Sequence, residues 1–268
     1  MKLVHLPIFV ALAAISAAAQ TVPSTISAQA PLLAPRQHHA PIQILERRQN
    51  GSVVSNNWSG YAVTGAAGSV SDVKASWTVP TVTCSGFRGQ YASFWLGIDG
   101  YSSSTVEQTG TDSDCSRGKP TYYAWYEFFP AGSVTISSMT IEPGDIMSAE
   151  VVYNGTQFTC TITDHRTSQS FSTSSTVSTA QRSSAEWIAE APSGLLRGVL
   201  PLADFGTVYF GPAFTGISGT DVATIGGTTG AIGTFPSVTS ITMVNSAGGE
   251  AVPSVLAPDN ASFTVAYQ

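Results

Sequence analysis

The sequence predicts an all-β protein: a sandwich of two packed antiparallel sheets forming a single domain. Three observations carry this. Charged residues make up only 10% of the 268, while Ser, Thr, Gly and Val recur throughout, a strand-favouring composition with little helix signal. Short alternating runs closed by Gly, Pro and Asn repeat along the chain. No linker interrupts them, and sandwiches often exceed 200 residues as one unit.

The chain opens with Lys2, an apolar run from Leu6 to Ala19 and small residues at Ala17–Ala19. This is the pattern of a secretory signal peptide over residues 1–20. No later apolar run is long enough to span a bilayer, so a soluble extracellular product is expected, with no membrane partner. Residues 21–48 are rich in Pro, Ala and Gln and close on Glu46, Arg47 and Arg48. The dibasic pair reads as a processing site, making 21–48 a propeptide and 49–268 the working domain. That domain keeps seven Lys and Arg against sixteen Asp and Glu, a net charge of −9. Such a balance argues against a nucleic-acid partner.

Within the domain, Ser71 to Pro80 places Val73, Ala75, Trp77 and Val79 on one face, and Pro80 stops the strand. Asp99-Gly100 is a turn signal. Pro143-Gly144 is read as the turn of a hairpin between Met139–Glu142 and Ile146–Tyr153. Ser168–Thr179 reads as an exposed strand pair or loop. Thr207–Phe214, Val238–Val244 and Ser262–Tyr267 supply further strands. Of three cysteines, Cys84 and Cys115 bracket the central stretch and are expected to pair, leaving Cys160 as a buried free thiol. Asn50, Asn57, Asn154 and Asn260 begin sequons, consistent with a secreted glycoprotein. There is no repeated unit and no oligomerisation signal, so a monomer is expected.

The chemistry concentrates between Tyr91 and Pro130, which holds Trp95 and Trp125 around Gln108 and Glu127. In YYAWYEFFP at 122–130, Tyr123, Trp125, Glu127 and Phe129 share one face of a strand, and Tyr122, Ala124, Tyr126 and Phe128 the other. A carboxyl group among rings is expected to have its pKa raised by burial. Spacing alone is equally served by an aromatic core strand with Glu127 at its wet edge. Other catalytic sets are poorly represented. The domain has one histidine, His165, read as a solvated polar residue, and no nucleophile-elbow motif. It lacks HExxH and a spaced Cys/His zinc set, and Asp112 with Asp114 falls far short of a calcium loop. No metal and no cofactor are called for.

Four blocks, FWLGIDG at 94–100, EQTGTD at 107–112, YYAWYEFFP at 122–130 and AEWIAE at 185–190, resemble those of the glutamic peptidases, or eqolisins. NWSGYAV at 57–63, ASWTVP at 75–80 and TIEPGD beginning at Thr140 are similar in order and spacing. The resemblance implies two antiparallel sheets of seven strands and acid hydrolysis of peptide bonds by an activated water. It implies Gln108 and Glu190 as the catalytic pair, with Trp95, Asp99, Asp112, Trp125 and Glu127 lining the cleft. On that reading Glu190 moves protons, and Gln108 donates to the oxyanion through an amide whose charge does not change with pH. Asp112 and Glu127 would share protons with Glu190, keeping one carboxyl charged and one neutral. Two departures stand out: Tyr123 where fungal members carry Asp, and Phe129 where they carry Tyr, both expected to remove polarity from the cleft.

The expected partners are polypeptide substrates and the chain's own propeptide. The propeptide is basic, and His38 and His39 add charge below neutral pH, so it should bind the acidic domain as an inhibitor. The attraction should weaken as the cleft carboxylates are protonated. With so few cation–carboxylate pairs to lose, the domain should tolerate acid. The rival reading is a secreted glycoside hydrolase or lectin-like sandwich, since Glu127, Glu190, Trp95 and Trp125 would also suit sugars. That reading gives Gln108 no necessary role. A non-catalytic secreted adhesin, suggested by the Ser/Thr richness, is a third.

Overall fold

The computed structural model describes Met1 and residues 37–49, 51–194 and 198–268. Apart from Met1, the expected signal peptide and most of the expected propeptide, like Asn50 of the first sequon, lie outside the described residues.

Alternation of apolar and polar residues builds two layers. The strands up to the central stretch are β1 (Gln37–His38), β2 (Ile44–Arg47), β3 (Val53–Ser55), β4 (Trp58–Thr64) and β5 (Val70–Thr78). The central stretch gives β6 (Ser93–Ile98), β7 (Val106–Ser116), β8 (Lys119–Phe129) and β9 (Val134–Thr135). After it come β10 (Ile146–Tyr153), β11 (Phe158–Asp164), β12 (Gln169–Ser175), β13 (Ser184–Glu190), β14 (Ser193–Gly194) and β15 (Gly198–Val199). The remainder is β16 (Thr207–Phe210), the single helical turn α1 (Pro212–Thr215), β17 (Val222–Ile225), β18 (Thr228–Ala231), β19 (Val238–Val244), β20 (Glu250–Pro253) and β21 (Phe263–Tyr267).

One layer runs β12–β11–β10–β5–β16–β21–β20, and the other β9–β8–β7–β6–β13–β4–β19. Pairing of β19 with β20 joins them at an edge. The ladders are antiparallel except that β3 runs parallel to β19. Inward side chains of both layers, among them Val73, Ala75, Trp77, Phe94, Leu96, Val151, Ile162 and Trp187, form one buried core. Indole groups tie the layers together: Trp77 Nε1 donates to Thr111 Oγ1 at 2.9 Å and Trp187 Nε1 to the Lys74 carbonyl at 2.8 Å. Both partners satisfy donors that burial would otherwise leave costly.

Two strand assignments change. Met139–Glu142 is not a strand, because the edges of β10 are taken by β5 and β11. The Pro143-Gly144 turn is instead tied by Gly144 N–H to the Val79 carbonyl and Glu142 N–H to Asp145 Oδ2. The run Thr207–Phe214 breaks after Phe210, since Gly211 takes φ 93° and Pro212, with no N–H for a ladder, begins a helical turn. Gln169–Ser175 forms an edge strand on β11. Cys84 and Cys115 are joined, and Cys160 is free and buried.

Candidate active site

Register decides what meets on the outer face of the second layer. Ser93 pairs with Glu190 and Asp112, Trp95 with Ile188 and Gly110, and Gly97 with Glu186 and Gln108. Gln108 in turn pairs with Glu127, and Asp112 with Tyr123. With a side-chain period of two, Glu190, Ser93, Trp95, Asp112, Gln108, Tyr123, Trp125 and Glu127 therefore share this face. Trp95 lies at its centre because Gly110 makes room. A Cβ on Gly110 would fall 2.4 Å from the Phe94 carbonyl oxygen and 2.5 Å from Trp95 Cβ. A second apolar cluster covers the face, built from Trp58, Trp95, Trp125 and Ile188 with Ile42 and Ile44 packed against it.

Residues 37–43 fill the hollow in extended form. β1 pairs with β14, and β2 pairs with β3, so the segment is anchored at both ends. Between them the His39 ring stacks on Trp125, with centroids 3.5 Å apart and planes 2° from parallel. Its Nδ1 lies 3.1 Å from Glu127 Oε2, and its Nε2 lies 2.9 Å from Ser93 Oγ and 3.4 Å from Asp112 Oδ1. The His39 N–H donates to Glu127 Oε2 at 2.8 Å, and Gln108 Nε2 donates to the His39 carbonyl at 2.6 Å. His38 Nδ1 meets Glu127 Oε1 at 3.0 Å, and Gln37 Nε2 donates to Asp114 Oδ2 at 3.1 Å.

Glu190 accepts a 2.8 Å hydrogen bond from Trp95 Nε1 on Oε2. Its Oε1 and the Oε1 of Gln108 are buried and accept no hydrogen bond from the described residues. Desolvation holds the Glu190 carboxyl well above its ordinary value; His39 opposes this, Glu127 reinforces it and the Trp95 bond opposes it. Glu127 shifts the other way. Burial would raise it, but hydrogen bonds and charge from His38 and His39 outweigh burial and lower it. The sequence expectation for Glu127 is thus reversed, because burial beside rings here comes with two imidazoles. Burial alone would lower His39, yet Asp112 and Glu127 carry it up to about 10. The two glutamates of this face are thus shifted in opposite directions.

Of the residues singled out from sequence, Gln108, Glu190, Trp95, Asp112, Trp125 and Glu127 gather here. Asp99 stands at the end of β6 with φ 73°. Its oxygens accept from the backbone N–H groups of Gln181, Arg182 and Ser183, so it clamps the loop that leads into β13. Tyr123 does not strip polarity from the hollow. Its hydroxyl lies 2.8 Å from Asp112 Oδ2 and 2.9 Å from Asp114 Oδ2, bridging two carboxyls. Ser93, which donates to Asp112, only adjoins the FWLGIDG block, and Trp58, whose Nε1 donates to the Ala40 carbonyl at 3.1 Å, lies within NWSGYAV, which gave it no site role. His38 and His39 registered as charge; their seat in the hollow comes from register 50 to 90 positions away.

Fold and site together define a β-sandwich with a carboxyl, amide and tryptophan hollow on one sheet. The chain belongs to the Peptidase A4 family, whose model matches residues 56–266. It is 31% identical to aspergillopepsin-2 of Aspergillus niger over 180 residues, 58% of this chain and 62% of that protein. The match thus spans about three fifths of that relative's length. A crystal structure of scytalido-glutamic peptidase with a transition state analog inhibitor superposes with TM-score 0.64 at 27% identity, covering 80% of this chain and 98% of that one. An eqolisin-family structure in complex with the tripeptide Ala-Ile-His superposes with TM-score 0.61 at 26% identity, covering 80% and 98%.

Proposed function

We propose that the protein is a secreted acid endopeptidase, a monomer acting on polypeptides, with Gln108 and Glu190 as its catalytic pair and residues 21–48 as its inhibitory propeptide. The single observation that carries this is the 2.6 Å hydrogen bond from Gln108 Nε2 to a peptide carbonyl held in the hollow. An oxyanion formed at that carbonyl would find its donor in place. Ionised Glu190 takes a proton from water as the water oxygen attacks the carbonyl carbon, then returns it to the amine nitrogen as the C–N bond breaks. The free Oε1 atoms of Glu190 and Gln108 are the acceptors left to orient that water.

With residues 37–43 in the hollow, desolvation is the largest cause raising the Glu190 carboxyl, which must give up its proton to act as a base. Entry of the attacking water beside the unpartnered Oε1 rehydrates the carboxyl and reduces that cause without the segment leaving. Glu190 then ionises in mild acid, where a histidine base would be charged and ineffective. The family member bound to Ala-Ile-His carries a peptide ending in histidine, the residue type whose carbonyl meets Gln108 here.

The test is digestion of an unfolded protein in acid with pepstatin present. Gln108→Ala should lower kcat by about 10²–10³, and Glu190→Ala should abolish cleavage, both with the fold intact by circular dichroism. Sugar release that survives Gln108→Ala would instead favour the carbohydrate reading.

A further inference from the structure

The segment in the hollow is seated on both sides of one bond, and that bond has a position. Upstream, β1 adds to β14, Gln37 reaches Asp114, and the His39 N–H is held by Glu127. Downstream, the Ala40 carbonyl accepts from Trp58 Nε1 and from Asn57 Nδ2, and the Pro41 carbonyl accepts from Asn57 Nδ2 at 3.2 Å. The Ile42 N–H donates to the Gly100 carbonyl at 3.1 Å and the Gln43 N–H to Asn57 Oδ1 at 2.8 Å. Between these two sets the His39 carbonyl, and no other carbonyl of the segment, meets the Gln108 amide. A segment held only to block the site has no need of that alignment.

The side chain preceding the bond is seated as specifically. The imidazole lies flat on Trp125, and its two nitrogens face acceptors on opposite edges. Glu127 meets Nδ1, while Ser93 Oγ, which spends its proton on Asp112, meets Nε2 together with Asp112. A ring carrying both N–H groups satisfies the whole set. An aliphatic side chain there would take away the ring nitrogens that meet Glu127 and Asp112 and leave each buried carboxyl one partner short. The groups facing the two histidines are Glu127 on β8, Asp112 and Asp114 on β7, and Glu190 on β13, with the Tyr123 hydroxyl between the aspartates.

We propose that the His39–Ala40 peptide bond is the first bond this enzyme cleaves, within its own chain, and that Trp125, Ser93, Asp112 and Glu127 form a pocket selecting histidine on the acyl side of the cleaved bond. The proposal rests on the peptidase reading above and differs from processing after Arg48. Water adds to the His39 carbonyl carbon, the C–N bond to Ala40 breaks, and the products are a carboxyl group on His39 and an amine on Ala40. Among the described residues, the upstream piece is then held by β1, the Gln37–Asp114 hydrogen bond and its histidine contacts. Ala40–Arg47 stays attached through β2 on β3, so the dibasic cut would come second.

Purified full chain, shifted from neutral to acid conditions and followed by intact mass and amino-terminal sequencing, tests this. The expected result is a first new terminus at Ala40, appearing at a rate independent of protein concentration and absent in Glu190→Gln. His39→Leu should slow that cut at least tenfold. A synthetic peptide of residues 37–44 added to the activated enzyme should be cut after its second histidine, and its leucine counterpart at least tenfold more slowly, which reads the pocket without depending on the folding of a variant. A first terminus at Gln49 or Asn50 with none at Ala40, a rate that rises with concentration, or equal cutting of the two peptides would overturn the proposal. Digestion of unfolded protein in the same samples separates the two readings. Active enzyme without the Ala40 terminus sinks this inference alone, and absence of all proteolysis sinks the peptidase reading beneath it.

Discussion

Glu107 offers the sharpest test of how this fold uses acid. Its register neighbours are Ile98 and Phe128, it is fully buried, and among the described residues neither carboxyl oxygen has a partner in hydrogen-bonding geometry. Burial, with Asp99 nearby, raises it from an ordinary 4.5 to about 9. The folded chain therefore holds a proton here that the unfolded chain releases above pH 4.5. Where the native state binds the extra proton, stability falls as pH rises, by about 1.4 kcal/mol per pH unit for one group. The contribution is fully present below pH 4.5 and is lost progressively as pH climbs towards 9. From pH 4.5 to 7 the loss from Glu107 alone is about 3 kcal/mol, against a total stability of roughly 5–15 kcal/mol for a typical domain. Glutamine cannot ionise, so Glu107→Gln should remove this slope. Urea unfolding of the full chain, with Glu190→Gln in both proteins to prevent self-digestion, should show near-equal stability at pH 4 and a variant more stable by about 3 kcal/mol at pH 7. Parallel stability profiles from pH 4 to 7 would refute the reasoning. Glu186 is raised by burial, Asp99 and Glu107, so Glu186→Gln should act in the same direction.

Three further outcomes are expected. The hold on residues 37–39 has its own pH window. Glu127 is lowered from 4.5, so its contribution is present above 4.5 and lost as pH falls through its lowered value; His38 and His39 are raised from 6.5, so theirs is complete below 6.5 and lost as pH rises, through about 10 for His39. Hydrogen exchange of this segment in the Glu190→Gln chain should be slowest between about pH 4.5 and 6.5 and fast in strong acid; exchange unchanged by acid would contradict the ion-pair account. Trp95→Phe removes the donor that favours ionised Glu190. The acid limb of kcat/KM against pH should move up by about one unit, the order of one hydrogen bond to a charged group, and an unmoved limb would mean the bond is not felt by the base. Cys84→Ser with Cys115→Ser opens a cross-link of sequence separation 31. Chain entropy sets the loss at about 3–4 kcal/mol, read as a lower urea midpoint, with no change in midpoint as the contrary result.

The scarcity of ion pairs noted in the sequence has a structural counterpart. Glu107, Asp114, Glu186, Glu190 and Asp221 are all shifted upward by burial first, so in the folded chain they take up protons at higher pH than ordinary carboxyls do. Glu127 and Asp259 are shifted the other way, and the partners that lower Glu127 are His38 and His39 of the expected propeptide. Acidification should therefore loosen residues 37–39 before it loosens the sandwich.

Much of this was legible along the chain. Alternation assigned opposite faces to Trp125 and Ala124, and the outer and inner clusters keep that division, because a strand's side-chain period is a local property. Cys84 and Cys115 were paired for the same reason, as the two ends of one stretch. Composition and the ordered blocks pointed to an all-β hydrolase and to Gln108 and Glu190. Local patterns failed where a long-range neighbour overruled them. Met139–Glu142 lost its hairpin to β5, Tyr123 became a bridge between Asp112 and Asp114, and Glu127 fell in pKa because histidines nearly ninety positions earlier lie on it. Which segments share a face is fixed by strand order and register, and these are set by the energy of the whole packed sandwich. The sequence by itself determined the layers and the chemical inventory. Only the tertiary structure decided which peptide bond lies against the Gln108 amide.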